Sequence, residues 1–278
     1  MSTNATIDQW ELWHHGVRLA DTTRSERIRV LRQFATEAGI DPTYAQPLDI
    51  VRWYSSHPEW TKSTHYTYHS YLVTFFKWLQ LQDIRADDPM IKVGKIKQPK
   101  RKPRPVADQH LIQLLRTNMH HRTRVMILLA ALAGLRCIEI AAFRGEHVDV
   151  PRGRMLVQGK GGSEEWVPLH PVLVATAEGM PARGWWFPSN RTRPGQHVTR
   201  KSVSQSVGDA FRRADIPGSA HRLRHWYGTT LLEDGADVRV VQELMRHSSL
   251  TSTQMYTGVT DLRMRAAVEK LDLYRAIA

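Results

Sequence analysis

Apolar residues recur at helical spacing along most of this chain, and the pattern divides it into two units. Ile7, Trp10 and Leu12 form a stripe on a first helix reaching His15. Thr22-Thr23 cap a second helix from Arg24 to Glu37, ended by Gly39, with Ile28, Leu31 and Phe34 on one face. Pro47 opens a third helix, Leu48 to Ser56. Thr61 or Ser63 caps a fourth, which runs to Gln82 and carries Tyr71, Leu72, Phe75, Phe76, Trp78 and Leu79 as a core stripe. Residues 1–88 therefore read as a four-helix unit.

Asp87-Asp88-Pro89 breaks the pattern. From Ile91 to Pro105 the chain is rich in proline, lysine and arginine and has no acidic residue, so 89–106 reads as an extended basic linker. A second unit, 107–278, begins with a helix from Gln109 to Asn118 capped by Asp108. The next helix, Thr123 to Ala133, is apolar almost all round and belongs at the centre of a core. Gly134-Leu135-Arg136 interrupts it, and a helix resumes from Cys137 to Arg144. Three short strands follow at His147–Val150, Arg154–Val157 and Glu165–Leu169, with turns at Pro151-Arg152-Gly153 and at Gly159-Lys160-Gly161-Gly162. Gly184 to Pro188 is a packed strand or turn. Helices are expected at Thr199–Arg213, around His221–Arg224, at Val238–Met245, around Tyr256, and from Thr260 through Leu262, Ala266, Val268, Leu271 and Leu273. The fold class is mainly α: a four-helix unit, then an α+β unit with a small three-stranded sheet.

Composition narrows the function. Lysines and arginines exceed acidic residues by 12, which points to a polyanionic partner. Nucleic acid fits better than membrane, since no basic amphipathic anchor stands out; a merely basic protein remains the alternative. There is no apolar run long enough to span a bilayer and no signal-peptide pattern, so a cytoplasmic protein is expected. The single cysteine, Cys137, excludes an internal disulfide. No Cys/His cluster has zinc spacing, so no metal is expected.

The candidate chemistry lies mostly near the C-terminus. His221 and Arg224 are three residues apart and share a helical face. His247 follows the Val238–Met245 helix, and Tyr256 follows a polar turn. A histidine moves a proton near neutral pH, an arginine fork suits phosphate, and a tyrosine phenol is a nucleophile once deprotonated. These are the groups needed to attack a phosphodiester. A helix-turn-helix DNA binder with an incidental tyrosine is the bland alternative. Arg136 sits beside a buried helix, so it needs a partner, and Glu139 is placed to orient it. That pair is either a phosphate-binding arginine with its support or a structural ion pair. Lys160 is a loop lysine at a hairpin tip. Lys62 on the fourth helix, Lys97, Lys100, Arg101 and Lys102 in the linker, and Thr199, Lys201 and Ser202 at a helix start are candidate DNA contacts, or simply a solvated face. His65 and His69 are also expected on the exposed side.

Taken in order, Ala-Gly-Leu-Arg136-x-x-Glu139-Ile, Lys160 in a β-turn, His221-x-Leu-Arg224-His, His247-Ser-Ser and Tyr256-Thr resemble the tyrosine recombinases, the family of phage integrases and chromosome-dimer resolvases. The resemblance is close over the second unit and looser over the first. Two positions depart from it: Arg246 stands where the family usually has glycine, and Arg222 where an acidic residue is common.

The resemblance implies a four-helix core-binding domain and a recombinase catalytic domain. It implies attack by Tyr256, phosphate binding by Arg136, Arg224 and His247, proton transfer by Lys160 and His221, and support of Arg136 by Glu139. It also implies no metal, no ATP and no other cofactor. The chain enters its first helix near Ile7, leaving no room for an arm-binding domain, so a small integrase acting on core attachment sites in double-stranded DNA is expected. A directionality factor and a homotetramer on two sites, joined through the C-terminal helix, would be its partners; free of DNA it would be a monomer. That helix packs either in cis or on a neighbouring protomer. A Xer-like dimer resolvase is the runner-up. A type IB topoisomerase or a non-enzymatic DNA-binding regulator would use similar parts.

Overall fold

Burial of the apolar stripes sets the register of every helix in the first unit. The computed structural model describes residues 5–99, 104–159, 162–189, 193–246 and 261–271, with backbone alone at 261–263. It forms two compact units, Met1–Arg101 and Lys102–Ala278.

The first unit holds α1 (Ala5–Gly16), α2 (Asp21–Ala38), a 3-10 turn (Pro42–Tyr44), α3 (Pro47–Ser55), α4 (Lys62–Leu81) and the short α5 (Met90–Val93). Its core gathers Trp10, Ile28, Leu31, Phe34, Ile50, Phe75 and Phe76. In α1 the inward face is Ile7, Trp10 and His14, while Leu12 is 72% exposed. The expected stripe is corrected at Leu12, which lies about 200° round the helix from Trp10. Helix α2 starts before Thr22 and its N-cap Ala20 makes no side-chain bond, but Gly39 ends it in the left-handed region at φ 65°. Pro47 opens α3, where Gln46 and Asp49 form a reciprocal cap. Of the two candidate caps for α4, Thr61 does the work, accepting the Thr64 amide at 3.1 Å. His69 is buried and pairs with the Tyr54 hydroxyl at 3.1 Å, so its expected exposure is wrong. The stretch expected to be extended throughout begins with a helical turn instead, and its Met90 is buried in the first core.

The second unit comprises α6 (Asp108–Arg116), α7 (His121–Leu132), α8 (Cys137–Ala141), β1 (Val148–Asp149), β2 (Arg154–Gln158), β3 (Glu164–Pro168), α9 (Pro171–Glu178), α10 (Arg200–Arg213), α11 (Ala220–Glu233), α12 (Val238–Leu244) and α13 (Asp261–Glu269). Every residue of α7 from Val125 to Leu132 is buried, because α10 and α11 pack against it. The strands form an antiparallel meander in the order β1-β2-β3, with Met155 opposite Val167 and both facing the core.

Asp108 is not the cap of α6; it is the first helical residue, and its carboxylate accepts the Trp226 indole N–H at 2.6 Å. Helix α8 stops at Ala141 rather than Arg144, because Arg144 pairs with Trp185 in a β-bridge. Helix α13 packs in cis against β3 and α12, and His170 Nε2 donates to the Leu271 carbonyl at 2.9 Å. The rest of the expected tail helix, including Leu273, lies outside the described residues.

Candidate active site

The site is assembled where α7 ends. Gly134 has φ 59°, a left-handed turn that suits glycine. A Cβ there would lie 2.6 Å from the Tyr227 ring. This turn delivers Arg136 to the N-cap of α8, where the Glu139 carboxylate accepts from it twice. The Arg136 amide donates to Glu139 Oε2 and its Nη1 to Oε1, both at 2.7 Å. Its Nη2 donates to the Arg246 carbonyl at 3.0 Å, and 38% of the side chain stays exposed.

Arg224, in the second turn of α11, comes in from the other side and is buried. Its guanidinium donates to the carbonyls of Gly134 and Met245 and lies 4.0 Å from Glu139. Burial, with the nearby charges of Arg136 and Arg246, lowers its pKa to about 9. Arg246 follows α12 in the left-handed region at φ 50°. It is also buried, and its Nη2 donates to Glu139 Oε2 at 3.0 Å and to the Gly134 carbonyl at 3.2 Å. Burial alone would raise the Glu139 carboxyl; Arg246 and the Arg136 amide and guanidinium more than offset this and hold it below the ordinary carboxylate range.

Three guanidinium groups thus surround one buried carboxylate. Three positive charges against one negative leave an excess that a phosphate would neutralise. Arg136, Arg224 and Glu139 come together as the sequence pattern predicts. Arg246 was visible only as a departure from a pattern. No local signal could show that α12 and the Gly134 turn meet.

His221 does not share the inward face of Arg224. It is exposed in the first turn of α11, with its ring 4.3 Å from that of His225. Burial, then the proximity of His221 and Arg224, pushes the His225 pKa down. Arg222 does structural work: it donates to the carbonyls of Arg104, Pro105 and Pro217 at 3.2, 3.1 and 2.8 Å. It thereby fastens the incoming chain to α11, which accounts for a base at that position. Lys160, His247 and Tyr256 lie outside the described residues, as do Lys100, Arg101 and Lys102. The Gly159 amide donates to the Ser163 carbonyl at 2.7 Å at the end of the β2–β3 pair.

Of the candidate DNA contacts, Lys62, Lys97 and Lys201 are exposed. Thr199 and Ser202 are engaged with each other: the Thr199 hydroxyl accepts the Ser202 amide at 3.1 Å as the cap of α10, and their hydroxyls lie 2.9 Å apart. Among the described residues, no helix is long and apolar enough to cross a membrane.

Known proteins bear on this arrangement. The phage integrase family pattern matches residues 105–263. The tyrosine recombinase XerD of Vibrio cholerae is 32% identical over 209 residues, covering 68% of each chain. The tyrosine recombinase XerA of Pyrococcus furiosus is 31% identical over 183 residues, spanning 63% of this chain and just under two thirds, 64%, of its own length. The structure of the integrase from mycobacterium phage Brujita superposes with a TM-score of 0.58 at 45% identity, covering 97% of this chain and 93% of that one. A lambda integrase fragment solved as a dimer on a core site shares the fold at a TM-score of 0.72 and 15% identity, covering 92% of this chain and all of that one. The family pattern covers more than half of the sequence and takes in Arg136, Glu139, Arg224 and Arg246, and so the chain belongs to the phage integrase family.

Proposed function

We propose that this protein is a site-specific DNA recombinase of the integrase type, acting on core attachment sites in double-stranded DNA. The observation that carries the reading is the cluster of Arg136, Arg224 and Arg246 about Glu139, a site with cationic charge to spare. Arg136, partly exposed, receives a non-bridging oxygen of the scissile phosphate. Arg224 supplies charge from behind it as the five-coordinate transition state forms. The Tyr256 phenolate oxygen attacks phosphorus, the bond to the 5′ oxygen breaks, and a 3′-phosphotyrosyl link forms. Lys160 gives its proton to the departing 5′ oxygen, His221 assists proton transfer at the tyrosine, and His247 binds the phosphate. The link conserves the phosphodiester energy, so religation needs no ATP. Lys62, Lys97, Lys100, Arg101, Lys102 and Lys201 meet the DNA backbone, and binding should weaken steeply with salt.

Similarity to the phage Brujita integrase over nearly the whole chain supports the integrase role. Similarity to the Xer proteins supports a second reading, a dimer resolvase working with a sister recombinase. On either reading four protomers join two sites, through the C-terminal helix.

Nicked duplexes from DNA flanking the protein's own gene test the reading, with host chromosomal DNA as a second source. A denaturation-resistant protein–DNA adduct in the wild type, absent in Tyr256→Phe with binding retained, is the expected result. An adduct that persists in Tyr256→Phe would remove the assigned nucleophile. Recombination that requires a second recombinase would favour the resolvase.

A further inference from the structure

We infer that Arg246 is a positioning residue that braces both phosphate arginines, an inference that rests on reading the cluster as the scissile-phosphate site. Its side chain touches the acceptors each of them uses. Glu139 Oε2 takes the Arg136 amide at 2.7 Å and Arg246 Nη2 at 3.0 Å. The Gly134 carbonyl takes Arg246 Nη2 at 3.2 Å and also the Arg224 guanidinium. The Arg246 carbonyl in turn holds Arg136 Nη2 at 3.0 Å. One residue therefore ties the turn after α7 to the start of α8 and shares the Gly134 acceptor with Arg224 of α11.

Two further observations show that the arginine is there for more than packing. Its backbone sits at φ 50°, a conformation that costs a side chain about 1–2 kcal/mol and glycine little. Its Nε–H is buried and has no acceptor among the described residues. The residue thus accepts backbone strain and an unfilled donor, and in exchange adds a third positive charge beside a carboxylate that balances only one. An oxyanion held by Arg136 relieves that excess, so the effect of Arg246 on anion affinity passes through Arg136. At 4% exposure of its side chain, Arg246 itself is set back from solvent.

The test titrates inorganic phosphate into the full chain by calorimetry at constant ionic strength, with thermal unfolding as a control on folding. Wild type is compared with Arg246→Gln, Arg246→Gly, Arg246→Lys, Arg136→Gln and the Arg136→Gln/Arg246→Gln double variant. Arg246→Gly keeps a fold-compatible backbone, because glycine suits φ 50°. Arg246→Gln and Arg246→Gly should each weaken phosphate binding about tenfold, equivalent to ~1.4 kcal/mol. Arg246→Lys, which restores the charge without the fork, should recover most of that loss. The double variant should bind no more weakly than Arg136→Gln alone, the non-additivity expected if Arg246 acts through Arg136. Wild-type affinity in Arg246→Gln, or losses that simply add, would overturn the inference and leave the phosphate site standing. Phosphate binding that Arg136→Gln leaves untouched, or none in the wild type, would overturn the phosphate reading and the inference together.

Discussion

Arg136 and Glu139 grip each other at both ends: the arginine amide donates to one carboxylate oxygen and its guanidinium to the other, each at 2.7 Å. The same carboxylate is the counter-charge of buried Arg246. Glu139→Gln should therefore destabilise the second unit by about 3–5 kcal/mol, the cost of stranding a buried charge. The carboxyl is held below its ordinary range, so its contribution is complete above that range and fades as pH falls through the depressed value. Urea unfolding should show a constant gap between wild type and Glu139→Gln from neutral pH down to mild acid, narrowing only below about pH 4. A gap that shrinks between pH 7 and 6 would contradict this assignment.

Gly134 is irreplaceable for two independent reasons. Its φ is 59°, and a Cβ would meet the Tyr227 ring at 2.6 Å. Tyr227 is 1% exposed and has nowhere to withdraw. Gly134→Ala should lose about 2–4 kcal/mol of stability, from left-handed strain plus overpacking. Because the Gly134 carbonyl is an acceptor for Arg224 and Arg246, phosphate affinity should fall too. Thermal unfolding and the phosphate titration read the two effects separately.

The first unit should be sensitive to acid through His14. This side chain is fully buried, and its Nε2 lies 3.3 Å from Arg27 Nη1. Burial, then the charges of Arg27 and Arg24, lowers its pKa to about 4. Between its ordinary value and that one, the unfolded chain binds a proton that the folded chain does not. Stability is therefore full above about pH 6.5 and declines toward pH 4, by about 3 kcal/mol for a shift of this size. Hydrogen-exchange protection in α1 and α2 should fall over that window, and His14→Gln, which keeps an acceptor for Arg27, should flatten the response.

His170 should make the capping of α9 depend on pH. Its Nδ1 accepts the Val172 amide at 3.1 Å as the cap of α9, and its Nε2 donates to the Leu271 carbonyl. Together they put the proton on Nε2; protonating Nδ1 breaks the α9 cap, whereas Nε2–H still donates to Leu271. Burial lowers its pKa, outweighing the opposing bond to Leu271, so the contribution is lost as pH falls below about 6.5. Hydrogen-exchange protection in the first turn of α9 should fall in mild acid in the wild type. In His170→Ala that protection should be low at every pH; protection retained in the variant would show that the cap contributes little.

Much of the architecture is written locally. A stripe of Leu72, Phe75, Phe76 and Leu79 at helical spacing can bury only one side of a helix, and Gly39, Pro47 and Thr61 mark helix ends by backbone chemistry that needs no distant partner. The all-apolar run that becomes α7 declares its central position. The ordered residue types Arg136, Glu139, His221 and Arg224 carry part of the resemblance to the tyrosine recombinases, and with it the expectation of phosphate chemistry. Tertiary structure decided what spacing leaves open. Helical spacing does not say which neighbour covers a face, so Leu12 is exposed where His14 is buried, and Arg224 turns inward while His221 faces out. Asp108 looks like a cap by its position but binds Trp226, a residue 118 positions away. Arg246 looked like a local oddity until the end of α12 met the turn at Gly134. A buried charge is defined by the groups around it, and those come from parts of the chain that only folding brings together.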